Sequence, residues 1–259
     1  MPLLSLILWG LATLLTLILL ACLILRRQYH NFPLFGLYLV VNLAQTVVGI
    51  ILYHGYGFTS AFTYHIAWTT QVIVMVARAL AATEVGYLVL GSYKGVWALA
   101  VRIVGFSGLV VLLVALFAGR ISYQSSVSTL EIGLEACIGT GIAGLFLFAR
   151  YYDVRIAPPI ALLGLGLGLL SCFKIFNDLL YERLARTFGS AWNYGGSAAF
   201  VCVLLIWIWA LRKPVVVRLP EPALKPASVY ASLIPQVNQR LSQLNQQLTR
   251  LWRLESPES

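Results

Sequence analysis

Acidic residues are scarce in this chain: nine Asp and Glu stand against eighteen Lys and Arg, and only 10% of the 259 positions carry charge. With 60% of the residues hydrophobic, so few ionised groups cannot cover the surface of a water-soluble globule, and that class is excluded. Histidine is equally sparse. His30, His54 and His65 have neither a cysteine nor a paired carboxylate at ligand spacing, so no metal or haem site is expected. The four cysteines, Cys22, Cys137, Cys172 and Cys202, fall inside apolar stretches without CxxC spacing, where cysteine behaves as a small hydrophobe. There is no P-loop, no GxGxxG and no recognisable elbow or triad around a Ser or Thr, so neither an enzymatic site nor a cofactor is expected. Gly164, Gly166 and Gly168, with Gly139, Gly141 and Gly144, read as close helix-packing surfaces rather than phosphate loops.

What the chain has instead is long stretches free of charge, at residues 3–25, 28–77, 103–119, 136–149, 156–173 and 187–211. About 20 apolar residues span the hydrocarbon of a bilayer, and the absence of water there forces each crossing segment to satisfy its own backbone as a helix. The run 28–77 is too long for one crossing, and the turn-forming stretch from His54 to Ser60 divides it. The expectation is an all-α, polytopic membrane protein, a seven-transmembrane-helix bundle within residues 1–213. Its helices fall near 3–25, 33–53, 62–90, 97–118, 127–150, 157–180 and 193–211. The first stretch lacks a basic n-region and a cleavage site, and is read as a retained helix.

Basic residues set the expected orientation, because Lys and Arg are retained on the cytoplasmic side during insertion. Counting alternate connections, one side collects ten (Arg26, Arg27, Lys94, Arg102, Arg150, Arg155, Arg212, Lys213, Arg218 and Lys225) and the other three (Arg120, Arg183 and Arg186). The N-terminus is therefore expected outside and the C-terminus in the cytoplasm. The net charge of +9 then follows from topology and attraction to anionic lipid, and no nucleic-acid partner is required.

Beyond Arg212 the composition changes. Pro214, Pro220, Pro222, Pro226 and Pro235 make residues 214–235 a linker. After it, Val237, Leu241, Leu244, Leu248 and Leu251 recur at helical spacing, so residues 236–254 read as an amphipathic helix. That helix is suited to lie on the membrane surface or to pair with a partner helix or a second copy of the chain.

Ionisable groups inside a bilayer are costly, so each invites a functional hypothesis with a named partner. Glu131 and Glu135 lie one turn apart on the fifth predicted helix, and Lys174 and Asp178 one turn apart on the sixth, with Ser171 on the same face. Either they line an outward-facing polar pocket for a small charged ligand, or they pair only to make their burial tolerable. A second stripe, Tyr64, Trp68, Gln71, Met75 and Arg78, follows one face of the third helix and is expected to look into the bundle. Arg78 and Glu84, with Arg102 nearby, would form a latch towards the cytoplasmic end or reach out to the interface, and Asn42 and Gln45 on the second helix could cross-link helices.

Seven helices with an external N-terminus invite comparison with microbial rhodopsins, but a retinal lysine belongs in the middle of the seventh helix, and residues 193–211 contain none. The basic pair Arg26-Arg27, the stretch Asn31-Phe32-Pro33-Leu34-Phe35 opening the second helix and the Glu-bearing fifth helix are similar to a group of bacterial seven-span membrane proteins without an assigned activity. That resemblance implies a fold and an inner-membrane location, and no functional residue follows from it. The expected role is a sensor or receptor-like module in contact with the lipid bilayer. A small-solute or ion transporter and a non-catalytic membrane scaffold are the alternatives.

Overall fold

The computed structural model describes residues 3–55, 60–120, 123–152, 154–212 and 234–247, with side chains left undescribed at positions 3, 5, 53, 61, 123–125, 178 and 181–193. The chain divides into two compact units, Met1–Pro220 and Glu221–Ser259. All regular structure among the described residues is helical. In the first unit α1 (Leu3–Leu25) leads through a 3-10 turn at Gln28–His30 to α2 (Pro33–Gly55). Then follow α3 (Ala61–Leu90), α4 (Lys94–Gly119), α5 (Tyr123–Tyr151) and α6 (Pro158–Leu211). Among the described residues seven stretches are long and apolar enough to cross a membrane, and two of them, Pro158–Asn177 and Tyr194–Leu211, belong to α6. The chain is thus an integral, multi-pass membrane protein.

The last two spans differ from two separately terminated helices. No proline occurs between Pro159 and Pro214, and the backbone stays helical from Pro158 to Leu211. A straight helix would hold Leu163 and Trp207 about 66 Å apart. Yet the Trp207 indole N–H donates to the Leu163 carbonyl at 3.2 Å. Gly195 meets Phe173 while Gly166 meets Trp207, so α6 doubles back between Asn177 and Tyr194 into two antiparallel arms.

Within this unit α5 is central and packs against α3, α4 and the first arm of α6, whereas α1 lies against α2 and α6. Helix α4 follows α5 and scarcely touches α3, although only Gly91, Ser92 and Tyr93 connect the two. Its Leu99, Ile103, Phe106, Leu113 and Phe117 are exposed, as side chains facing hydrocarbon should be.

The densest packing occupies the half of the bundle nearer Arg26. There Trp207 is fully buried and meets Phe35 and Tyr38 edge-on, with centroids 5.1 and 6.1 Å away. Leu19, Leu23, Leu39, Leu163, Leu167 and Leu204 close around it. Lipid tails are as apolar as these side chains, so close van der Waals fit rather than expulsion of water holds such a layer together.

Two helix ends at this side are capped by distant residues. Pro33 opens α2 without an N–H to satisfy, and the next two amides, Leu34 and Phe35, donate to the Glu84 carboxylate at 3.1 and 2.8 Å. Arg26 donates at 3.3 Å to the carbonyl of Leu211, the last residue of α6.

In the second unit residues 234–247 form helix α7, with Ile234, Val237, Leu241 and Leu244 along one face. Leu248, Leu251 and the linker through residue 233 lie outside the described residues, and residues 234 and 235, expected to end the linker, are helical.

A Cβ at Gly166 would strike the Trp207 indole, whereas one at Gly144 would meet nothing within 4 Å. Gly166→Ala should therefore cost about 1–3 kcal/mol by overpacking. Gly144→Ala should be neutral or slightly stabilising, because alanine is the better helix former. Unfolding of each variant in micelles checks the contrast, and equal effects would remove the close crossing of the two α6 arms.

Candidate functional site

Four helices contribute polar side chains to one connected network. On α5, Glu131 and Glu135 are one turn apart and point the same way. The first arm of α6 presents Ser171 and Lys174, and α3 presents Gln71 and, about 10 Å further along its axis, Arg78. Lys174 Nζ is bonded to Glu131 Oε1 and stands 3.8 Å from Glu135 Oε1. Arg78 Nη1 is bonded to the same Glu135 oxygen, while the Ser171 hydroxyl donates to Glu135 Oε2 at 2.6 Å. The network reaches α2 through amides: Gln71 Nε2 donates to Glu131 Oε1 at 2.9 Å, and Gln45 Nε2 donates to Gln71 Oε1 at 2.9 Å. Tyr38 places its ring 5.7 Å from the Arg78 guanidinium carbon, a cation–π arrangement at the inner limit of the cluster.

Among the described residues the network holds two carboxylates and two cations, a balance of the kind a medium without water demands. Burial is graded along it. The Lys174 and Glu131 side chains are 23% and 13% exposed, whereas Arg78 and Glu135 are at 6% and 1%. Beyond Arg78, towards Arg26, lies the layer of Trp207, Leu163, Leu167 and Ala81, all with no exposed surface. The polar groups therefore run from one side to mid-bundle and stop against an apolar plug.

Glu131, Glu135 and Lys174 meet directly. Asp178, expected beside them, lies outside the described side chains. The two sets of residues separated in the sequence reading are one network, because Gln71 and Arg78 of the α3 stripe each hold one of the α5 carboxylates. Tyr64 and Trp68 of that stripe pair with one another, centroids 5.9 Å apart, closer to the start of α3. Tyr64 is 37% exposed, so the stripe faces inward fully only at Met75 and Arg78.

The Arg78–Glu84 latch does not form. Six residues place these side chains well apart along α3, and each takes a different partner: Arg78 the Glu135 carboxylate, Glu84 the start of α2. Arg102 is exposed on α4. Tyr38 was missed by sequence reasoning, and its signal was its separation of seven from Gln45, which sets both on one face of α2.

Double-mutant cycles should resolve the two ion pairs. Glu135→Gln should be strongly destabilising, by about 3–5 kcal/mol, because it strands the buried guanidinium, and Arg78→Met should be destabilising in the same direction but less so, because Lys174 still stands 3.8 Å from Glu135. The double variant should recover part of that loss. Lys174→Met with Glu131→Gln should couple in the same sense but more weakly, given its greater exposure, within the usual range of about 0.5–3 kcal/mol. Denaturant titration in micelles measures both cycles, and additive losses would dissolve the network into independent contacts. In comparisons with known proteins no protein family, curated protein or solved structure matches the chain, so the likeness to bacterial seven-span proteins gains no support from them.

Proposed function

We propose that this protein is a non-catalytic, receptor-like sensor of the bacterial inner membrane, with its N-terminus outside and its C-terminus in the cytoplasm. Its candidate ligand site is the exposed end of the ionic network, where Lys174 and Glu131 meet. The observation that carries this reading is the grading of the network from partly exposed ions to a sealed Arg78–Glu135 pair backed by the Trp207 layer. A polar path that ends blindly at mid-bundle suits binding better than passage.

Neutrality narrows the ligand. An anion taking Lys174 would strand Glu131, and a cation taking Glu131 would strand Lys174, each at the cost of an unpaired charge in a poorly hydrated site. A small zwitterion, with an ammonium for Glu131 and a carboxylate for Lys174, replaces both halves of the pair at once. Separation of Lys174 from Glu131 would free the ammonium to move fully onto Glu135, already 3.8 Å away, and so weaken the hold of Glu135 on Arg78 of α3. That exchange is the step by which an outer event would reach the inner half of the bundle. The sharing of Lys174 between two carboxylates also favours a transporter as second reading, since partner exchange is what a coupling group does.

Reporter fusions at residue 122 and at the C-terminus should lie on opposite sides of the membrane, and the same side for both would overturn the proposed topology. For the sensor reading, small zwitterions should raise the melting temperature of the purified protein, and Glu131→Gln should abolish the effect. In liposomes the same solutes should not be taken up. Uptake that persists without residues 214–259 and is lost in Glu135→Gln would replace the sensor by the transporter.

A further inference from the structure

A second polar site lies near the opposite end of α3 from the start of the ionic network. A cavity of about 520 Å³ sits where the start of α2, the last turns of α3 and the first turn of α4 come together. It lies in the wedge left because α4 leans onto α5 and barely touches α3. Glu84, Tyr87, Trp97, Thr83, His30 and Asn31 supply its functional groups. A volume of this size is in the range of small-molecule sites.

The chemistry of the lining favours one kind of ligand. Glu84 is the one carboxylate among the described residues that line it, and the residue is 7% exposed. Among the described residues its oxygens are held by the Leu34 and Phe35 amides, and no Lys or Arg stands within ion-pair distance. A helix N-terminus offers the equivalent of roughly half a positive charge, so a full carboxylate there leaves a negative site still to be neutralised. Beside it Tyr87 and Trp97 meet edge-on, with centroids 5.4 Å apart, and both rings line the cavity. A carboxylate only partly compensated by a helix end and two electron-rich rings around a small void are the groups that recognise an alkylammonium ion.

We propose that this cavity binds an alkylammonium group, held by Glu84 and by the rings of Tyr87 and Trp97. The group can come from a free amine or from the headgroup of an aminophospholipid. The site is built where the ends of helices meet.

The test uses the full chain in two settings. In micelles at constant ionic strength, tetramethylammonium and ethanolamine should raise the melting temperature in a saturable way. Glu84→Gln and Tyr87→Leu should each weaken the apparent affinity about tenfold, the order expected for loss of one cation contact. Should Glu84→Gln fail to fold because the α2 cap is weakened, Tyr87→Leu and Trp97→Leu leave that cap intact and carry the comparison. In nanodiscs of phosphatidylglycerol with or without phosphatidylethanolamine, native mass spectrometry reads which lipid stays bound. Retained phosphatidylethanolamine, lost in Tyr87→Leu, assigns the site to a lipid headgroup. Saturable amine binding without that lipid preference assigns it to a soluble amine. No amine-dependent stabilisation together with no lipid preference, or binding unchanged in all three variants, would overturn the proposal.

Discussion

Charge neutralisation without water is the constraint on which the bundle depends. An ammonium, a guanidinium and two carboxylates lie between helices, and each is tolerable only because an opposite charge from another helix meets it. The pairings fix which faces of α3, α5 and the first arm of α6 must look at one another. The amides of Gln71 and Gln45 extend the requirement to α2, where an unpaired polar group would also be costly. Apolar side chains impose no comparable demand, since they are as comfortable against lipid as against a neighbouring helix.

The two halves of the bundle use different physics. In one half, direction comes from ions and hydrogen bonds, which have few acceptable geometries and can exchange partners. In the other it comes from close fit: the Trp207 indole lies over Gly166, reaches the Leu163 carbonyl and meets Phe35 and Tyr38 edge-on. Tyr38 touches both regimes, facing the Arg78 guanidinium and the Trp207 ring.

Helix ends follow the same logic of completing what the local chain leaves open. The first amides of α2 and the last carbonyl of α6 are orphaned by helical geometry, and they are satisfied by Glu84 of α3 and by Arg26 in the turn after α1. These contacts tie the ends of the bundle as the ion pairs tie its middle. The Glu84 contact also decides the character of the neighbouring cavity, since it puts a carboxylate where a helix N-terminus alone would attract an anion.

The sequence by itself determined that the chain has seven apolar stretches fit to cross a membrane, and it singled out Glu131, Glu135, Lys174 and Arg78 as charges within them. Both follow from local facts: the length of apolar runs against the thickness of hydrocarbon, and the cost of a charge within it. The helical periods put Glu131 with Glu135 and Gln71 with Arg78 on common faces, because spacing along one helix is readable without any neighbour. Only the tertiary structure decided partners. Arg78 and Glu84 lie six apart in the chain, and nothing in that spacing says that one is claimed by α5 and the other by the start of α2. Nor does it say that the two α6 arms cross at Gly166 and Trp207. Helix adjacency and rotation depend on the simultaneous fit of all the helices, and one-dimensional periodicity carries no term for it.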